Sequence, residues 1–124
     1  MRKILIDDAI RAIYPDAQFT TVDGVITEWN SPSITQPSQE ELDTKLTELK
    51  AAEPMRQLRV ERNKLIAETD WTQLKDIDLD IIRERNWKNY RQALRDLPAK
   101  SNPKLNSFGV LDMKSVVWPD KPST

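Results

Sequence analysis

Eight prolines cut this chain into short lengths, and only two glycines are available to turn it. A proline removes a backbone donor and clashes with the preceding helical turn, and it holds the residue before it extended. Glycine alone enters the left-handed region at no steric cost. The prolines therefore mark where helices stop, and the glycines mark where tight turns can form. Before Pro15, the spacing of Ile6, Ile10 and Ile13 predicts a helix with Asp7 as its N-cap. The stretch QFTTVDGVITEW follows, and its Asp23-Gly24 pair is the sequence signal of a two-residue type I′ hairpin, predicting strands over 18–22 and 25–29. Pro32 and Pro37 make residues 31–37 an extended linker.

Ser38-Gln-Glu-Glu41 then opens a helix as a capping box, with Leu42, Leu46 and Leu49 as its apolar stripe. Pro54 either begins a new helix in its first turn or kinks a continuous one. Beyond it, Met55, Leu58, Leu65 and Ile66 share one side, and Arg56, Arg59, Arg62 and Lys64 decorate the rest. Thr69-Asp70 breaks this pattern, so that Trp71 and Leu74 fold back on the helix end. A second helix is predicted from about 79 to 96, striped by Trp87, Tyr90, Leu94 and Leu97 and ended by Pro98. The remainder holds a short β-prone run, Ser115 to Trp118, and reads as an extended arm whose strand needs something to pair with. The fold class is α+β. Residues 1–30 form an N-terminal helix and β-hairpin unit, 31–37 the linker, 38–98 a helical region containing an α-helical hairpin, and 99–124 the arm.

Chemistry is constrained as tightly as shape. Cysteine and histidine are both absent, which excludes disulfides, thiol nucleophiles, Cys/His zinc sites and histidine-based triads. Two glycines cannot make a phosphate-binding loop. Asp76-Ile-Asp78-Leu-Asp80 resembles the start of a calcium loop, but Ile81 and Trp87 stand where that loop needs glycine and glutamate. The acids instead suit the positive end of the helix that follows. No catalytic residue, metal or cofactor is expected. Arginines at 56, 59, 62, 83, 85, 91 and 95 are interleaved with Glu61, Glu68, Glu84 and Asp96, which fits intrahelical pairing better than a nucleic-acid stripe. A net charge of −1 gives no overall bias toward nucleic acid or an anionic membrane, and no apolar run is long enough to span one. The opening MRKILIDDAI is basic, but Asp7 and Asp8 cut its apolar stretch too short for a signal peptide, so a cytoplasmic location is expected.

Charge is divided unevenly. Residues 1–53 carry 5 basic and 10 acidic side chains, and residues 54–100 carry 11 and 8. Such a split suits assembly between copies or with a partner. Four tryptophans exceed what one helical seam can hide. Trp29, Trp71, Trp87 and Trp118, with Arg91 and Arg95, are therefore the candidate partner-binding residues, because aromatics beside arginines are what interface hot spots use.

MRQLRVERNKLIAETDWTQLKD, from Met55 to Asp76, and WKNYRQALRDLP, from Trp87 to Pro98, together resemble the phage tail assembly chaperone family. VVWPDKP, from Val116 to Pro122, is similar to the end of members from phages of cyanobacteria. The resemblance covers about half the chain. Its spacer, DIDLDIIRERN, is more charged and apolar than in relatives, which leaves the onset of the second helix open. It implies a non-enzymatic protein that binds a trimeric tail fibre, three copies per trimer, and aids its folding, trimerisation or attachment. The implied setting is the host cytoplasm during assembly, with retention in the virion tail as a further option. The alternative is a structural tail or baseplate subunit.

Overall fold

The computed structural model describes residues 4–123; Arg2 and Lys3, the basic residues of the opening, lie outside them. The described chain runs α1 (Ile6–Ile13), β1 (Phe19–Val22), β2 (Val25–Trp29), α2 (Gln39–Ala67), a 3-10 turn (Asp70–Gln73), α3 (Ile81–Lys100) and a second 3-10 turn (Met113–Ser115). It is an α+β protein, as its pattern predicts. Two compact units divide it, Met1–Glu53 and Pro54–Thr124, and α2 supplies residues to both.

In the first unit, α1 begins two residues earlier than the sequence suggests. Its N-cap is Leu5, whose N–H donates to the Asp8 carboxylate at 2.8 Å. Asp7 is not the cap; its carboxylate accepts from the Thr21 hydroxyl at 2.6 Å and so ties α1 to β1. The hairpin is as expected: Asp23 and Gly24 have φ of 50° and 79°, the positive pair a type I′ turn requires. A bulge between Thr20 and Thr21 shifts the register so that Phe19 faces Trp29, and their rings stack at 6.2 Å. Ser31 closes the open end, accepting from Gln18 N–H at 2.6 Å. Ile6, Ala9 and Ile10 bury against Ala17 and Leu42, with Leu46 and Leu49 of α2 packed alongside.

Ser38 caps α2, its hydroxyl accepting from Glu41 N–H at 3.1 Å. The helix then passes through Pro54 without a break, so Pro54 sits inside one 29-residue helix. The missing N–H costs one helical bond, to the carbonyl four residues earlier.

The second unit has two cores. Trp87, Tyr90 and Leu94 of α3 pack with Leu65, Ile66, Trp71 and Leu79. Leu58 and Leu97 pack instead with Leu111 and Val116 of the C-terminal segment, with Met55 and Trp118 at their side. Residues late in α2 thus meet residues early in α3, and the reverse, which defines an antiparallel helical hairpin. Leu58 belongs to the second of these clusters, not to the Tyr90 and Leu94 seam where its periodicity puts it. Helix α3 starts at Ile81 and runs past Pro98 to Lys100. It passes through Pro98 and is closed at Ser101, whose hydroxyl takes up the Leu97 carbonyl at 2.6 Å and whose N–H takes up that of Pro98 at 3.3 Å.

The C-terminal segment is extended but anchored. Its expected strand at Ser115–Trp118 is absent; the backbone there leaves a 3-10 turn, and the pairing in this segment is a lone antiparallel bridge between Leu105 and Leu111. The Gln57 side chain of α2 fixes it, donating to the Gly109 carbonyl at 2.9 Å and accepting from Leu111 N–H at 2.7 Å.

Candidate functional site: a basic groove beside an aromatic core

The second unit carries a groove of about 540 Å³, within the size range of ligand-binding clefts. One wall is α3. Glu84, Trp87, Lys88, Arg91 and Arg95 line it at intervals of three, one, three and four, which places them on one helical face. The other wall is the segment after α2, where Thr72, Leu74, Lys75, Ile77 and Leu79 line the space.

Local chemistry shapes both walls. Asp80 caps α3, its carboxylate accepting from Arg83 N–H at 2.7 Å and from Arg83 Nε at 3.1 Å. The backbone bond and then the guanidinium hold the Asp80 carboxyl below its ordinary range. Of the acids before the helix, Asp80 is therefore its cap. On the opposite wall, the buried Thr69 hydroxyl donates to the Ile66 carbonyl at 2.7 Å, and Thr72 continues the turn by donating to the Thr69 carbonyl at 2.7 Å. Arg91 locks the two walls: its Nη1 donates to Thr69 Oγ1 at 2.5 Å and pairs with Asp70 Oδ1 at 3.3 Å.

Trp87 is 1% exposed and forms the floor between the walls. It meets Trp71 edge-on at 5.2 Å and Tyr90 edge-on at 6.0 Å, geometries that aromatic quadrupoles favour. Its indole N–H has no acceptor among the described residues. Burial, followed by the nearby Glu68 charge, raises the Tyr90 hydroxyl above its usual pKa, so the phenol stays neutral.

The six candidate partner residues thus occupy different settings. Trp71, Trp87, Arg91 and Arg95 come together around the groove, and of these Arg95 is exposed, Trp71 half-buried, and Trp87 and Arg91 turned to internal contacts. Trp29 lies in the first unit, half-buried, with its N–H on the Ile34 carbonyl at 2.8 Å. Trp118 packs beside the Leu58 cluster, its N–H 3.2 Å from the Met113 carbonyl.

Sequence reasoning misses the aliphatic lip of the groove. Leu74 and Ile77, which line it, are 62% and 37% exposed, and Ile81 and Ile82 at the start of α3 are 74% and 69% exposed. It also misses Lys75 and Lys88, which line the space. The available signal was the run DIDLDII, whose isoleucines fit neither helical stripe. Among the described residues, no three acidic side chains converge as metal ligands would, and no helix is long and apolar enough to cross a membrane.

Fold and groove define a small α+β chain with a cleft lined by cations and exposed aliphatic side chains. Residues 55–123 match the family model described as phage tail assembly chaperone protein. The chain belongs to the phage tail assembly chaperone family, whose role is in building the phage tail. Neither the curated proteins nor the solved structures contain a match to it.

Proposed function

We propose that this chaperone acts without catalysis on the trimeric tail fibre, binding it in the host cytoplasm and aiding its folding, trimerisation or attachment. Three copies per fibre trimer satisfy its symmetry. The observation that carries this reading is the pair of exposed aliphatics, Leu74 and Ile77, lining the cationic groove, with Ile81 and Ile82 exposed nearby in sequence. Exposed aliphatics rimmed by polar residues mark surfaces that a partner covers. Arg95, Trp71 and Trp118 are the proposed points of contact, Trp87 and Arg91 hold the groove in shape, and Trp29 offers a separate contact from the first unit.

Co-expression with the fibre of the same phage, purification through a tag on the fibre, and light scattering test the reading. A complex with equal copies of the two chains establishes the fibre as partner and favours a chaperone that stays bound in the virion. Trimeric fibre obtained only with co-expression, yet free of this chain, means that it acts and departs. Fibre that trimerises equally well alone and never binds the chain defeats the proposal in favour of a structural tail or baseplate subunit.

A further inference from the structure

We propose that the groove takes an acidic segment of its protein partner, an extended stretch in which carboxylates alternate with large aliphatic side chains. This rests on the reading of the chain as a partner-binding chaperone and names the chemistry of what its groove receives.

Charge carries the first part of the argument. Four cations line the groove, Lys75, Lys88, Arg91 and Arg95, against one acid, Glu84. Arg91 is spent on Thr69 and Asp70. Lys75, Lys88 and Arg95 make no ion pair among the described residues. Three cations left facing one concavity, in a chain whose net charge is −1, make a local positive field that a carboxylate-bearing ligand satisfies.

The lip carries the second part. Leu74 and Ile77 line the groove while remaining 62% and 37% exposed. An aliphatic side chain from the ligand would cover these and remove their surface from water. This favours a polypeptide over a nucleic acid, because a phosphate backbone offers nothing to isoleucine. The exposed Asp76 and Asp78 flanking Ile77 would also repel a continuous polyanion. A segment with spaced carboxylates can place its charges on Lys75, Lys88 and Arg95 and its apolar groups on the lip.

The test uses the full chain and a synthetic peptide of glutamates interspersed with three leucines, titrated while amide and indole N–H resonances are followed by NMR. Shifts are expected to concentrate at residues 74–79, the Trp87 indole and residues 88–95. Lys88→Glu with Arg95→Glu should weaken binding at least tenfold. Lys45→Glu with Lys50→Glu, the same charge change in the first unit, should leave it within about twofold. Binding should also weaken as salt shortens the Debye length from about 10 Å at 0.1 M to about 3 Å at 1 M. Glu84→Gln should tighten it. Both altered cations are exposed, so the fold should survive; Lys88→Gln with Arg95→Gln repeats the test without reversed charge. The inference is overturned if the peptide does not bind, if shifts fall elsewhere, or if a lysine-for-glutamate peptide binds equally. It is also overturned if a DNA duplex binds at the groove more tightly than the peptide. The peptide result stands whether or not the fibre co-purifies, so failure of the groove and failure of the fibre reading are separable.

Discussion

The tertiary side-chain hydrogen bonds of the first unit link residues close in sequence, and those of the second link residues further apart. Thr21 reaches Asp7 and Ser31 reaches Gln18, each across fewer than fifteen positions. Arg91 reaches Thr69 across 22 positions, and Gln57 reaches Leu111 across 54. The cores differ in the same way. One cluster of buried aliphatic side chains serves the first unit, with Phe19 stacked on Trp29 at its side, whereas the second has a T-shaped series of Trp71, Trp87 and Tyr90 beside a separate cluster that recruits the C-terminal segment. The family match begins at Met55, one residue past the start of the second unit, and leaves the first outside. The part that matches the family is thus the part that carries the groove and the aromatic core.

The hardest test of this contrast is Trp87→Ala. It removes the floor of the groove and the middle ring of the stack, and should cost about 3–5 kcal/mol of stability, read by urea denaturation. Trp87→Phe should recover most of that loss, because the indole N–H of Trp87 has no acceptor to lose. If phenylalanine proves as damaging as alanine, the ring is held by more than packing. Gln57→Ala comes next. It leaves the Gly109 carbonyl and the buried Leu111 N–H without their partner, at about 1–3 kcal/mol. Faster hydrogen exchange at Leu111 and proteolysis after residue 101 should accompany the loss. If exchange is unchanged, the C-terminal segment is held by Leu111 and Val116 alone.

The contrast also explains what the sequence makes legible. Helix α1, the hairpin and the start of α2 follow from local signals: the spacing of Ile6, Ile10 and Ile13, the Asp23-Gly24 pair and the Ser38 capping box. The partner of Leu58 does not, because helical periodicity says which face is apolar and not which distant segment covers it. The run at Ser115–Trp118 has the composition of a strand, but among the described residues none pairs with it, and Val116 is instead buried with Leu58 and Leu97. Pro98 reads as a stop and is not one: the helix runs on to Lys100, where Ser101 caps it. Trp87 and Arg91 of the candidate site were legible as residue types, but their inward roles depend on Trp71, Thr69 and Asp70, which sequence spacing does not connect to them.

In the first unit, a small effect should stay local. Gly24 has φ of 79°, and an added Cβ would meet nothing within 4 Å. Gly24→Ala should therefore cost only the left-handed strain, about 1 kcal/mol, and leave the resonances of the groove unmoved. Shifts at Trp87 in this variant would show that the two units are coupled.

The smallest expected effect concerns the start of α3 and has a definite sign with pH. The Asp80 carboxylate accepts two bonds from Arg83, which holds its folded pKa below the ordinary value. A depressed carboxyl pKa contributes stability that is complete above the unfolded value of about 3.9 and is lost as pH falls through the folded one. Asp80→Asn keeps an oxygen that can accept from Arg83 N–H but removes the charge that answers the helix N-terminus and the guanidinium. The wild-type chain should therefore be slightly more stable than this variant at neutral pH. The gap should close in acid, followed by thermal unfolding at a series of pH values. A gap that persists unchanged into strong acid would mean that Asp80 acts through the shape of its cap and not through its charge. In that case the first wall of the groove would be set by hydrogen bonding alone, as the second already is at Thr69 and Thr72.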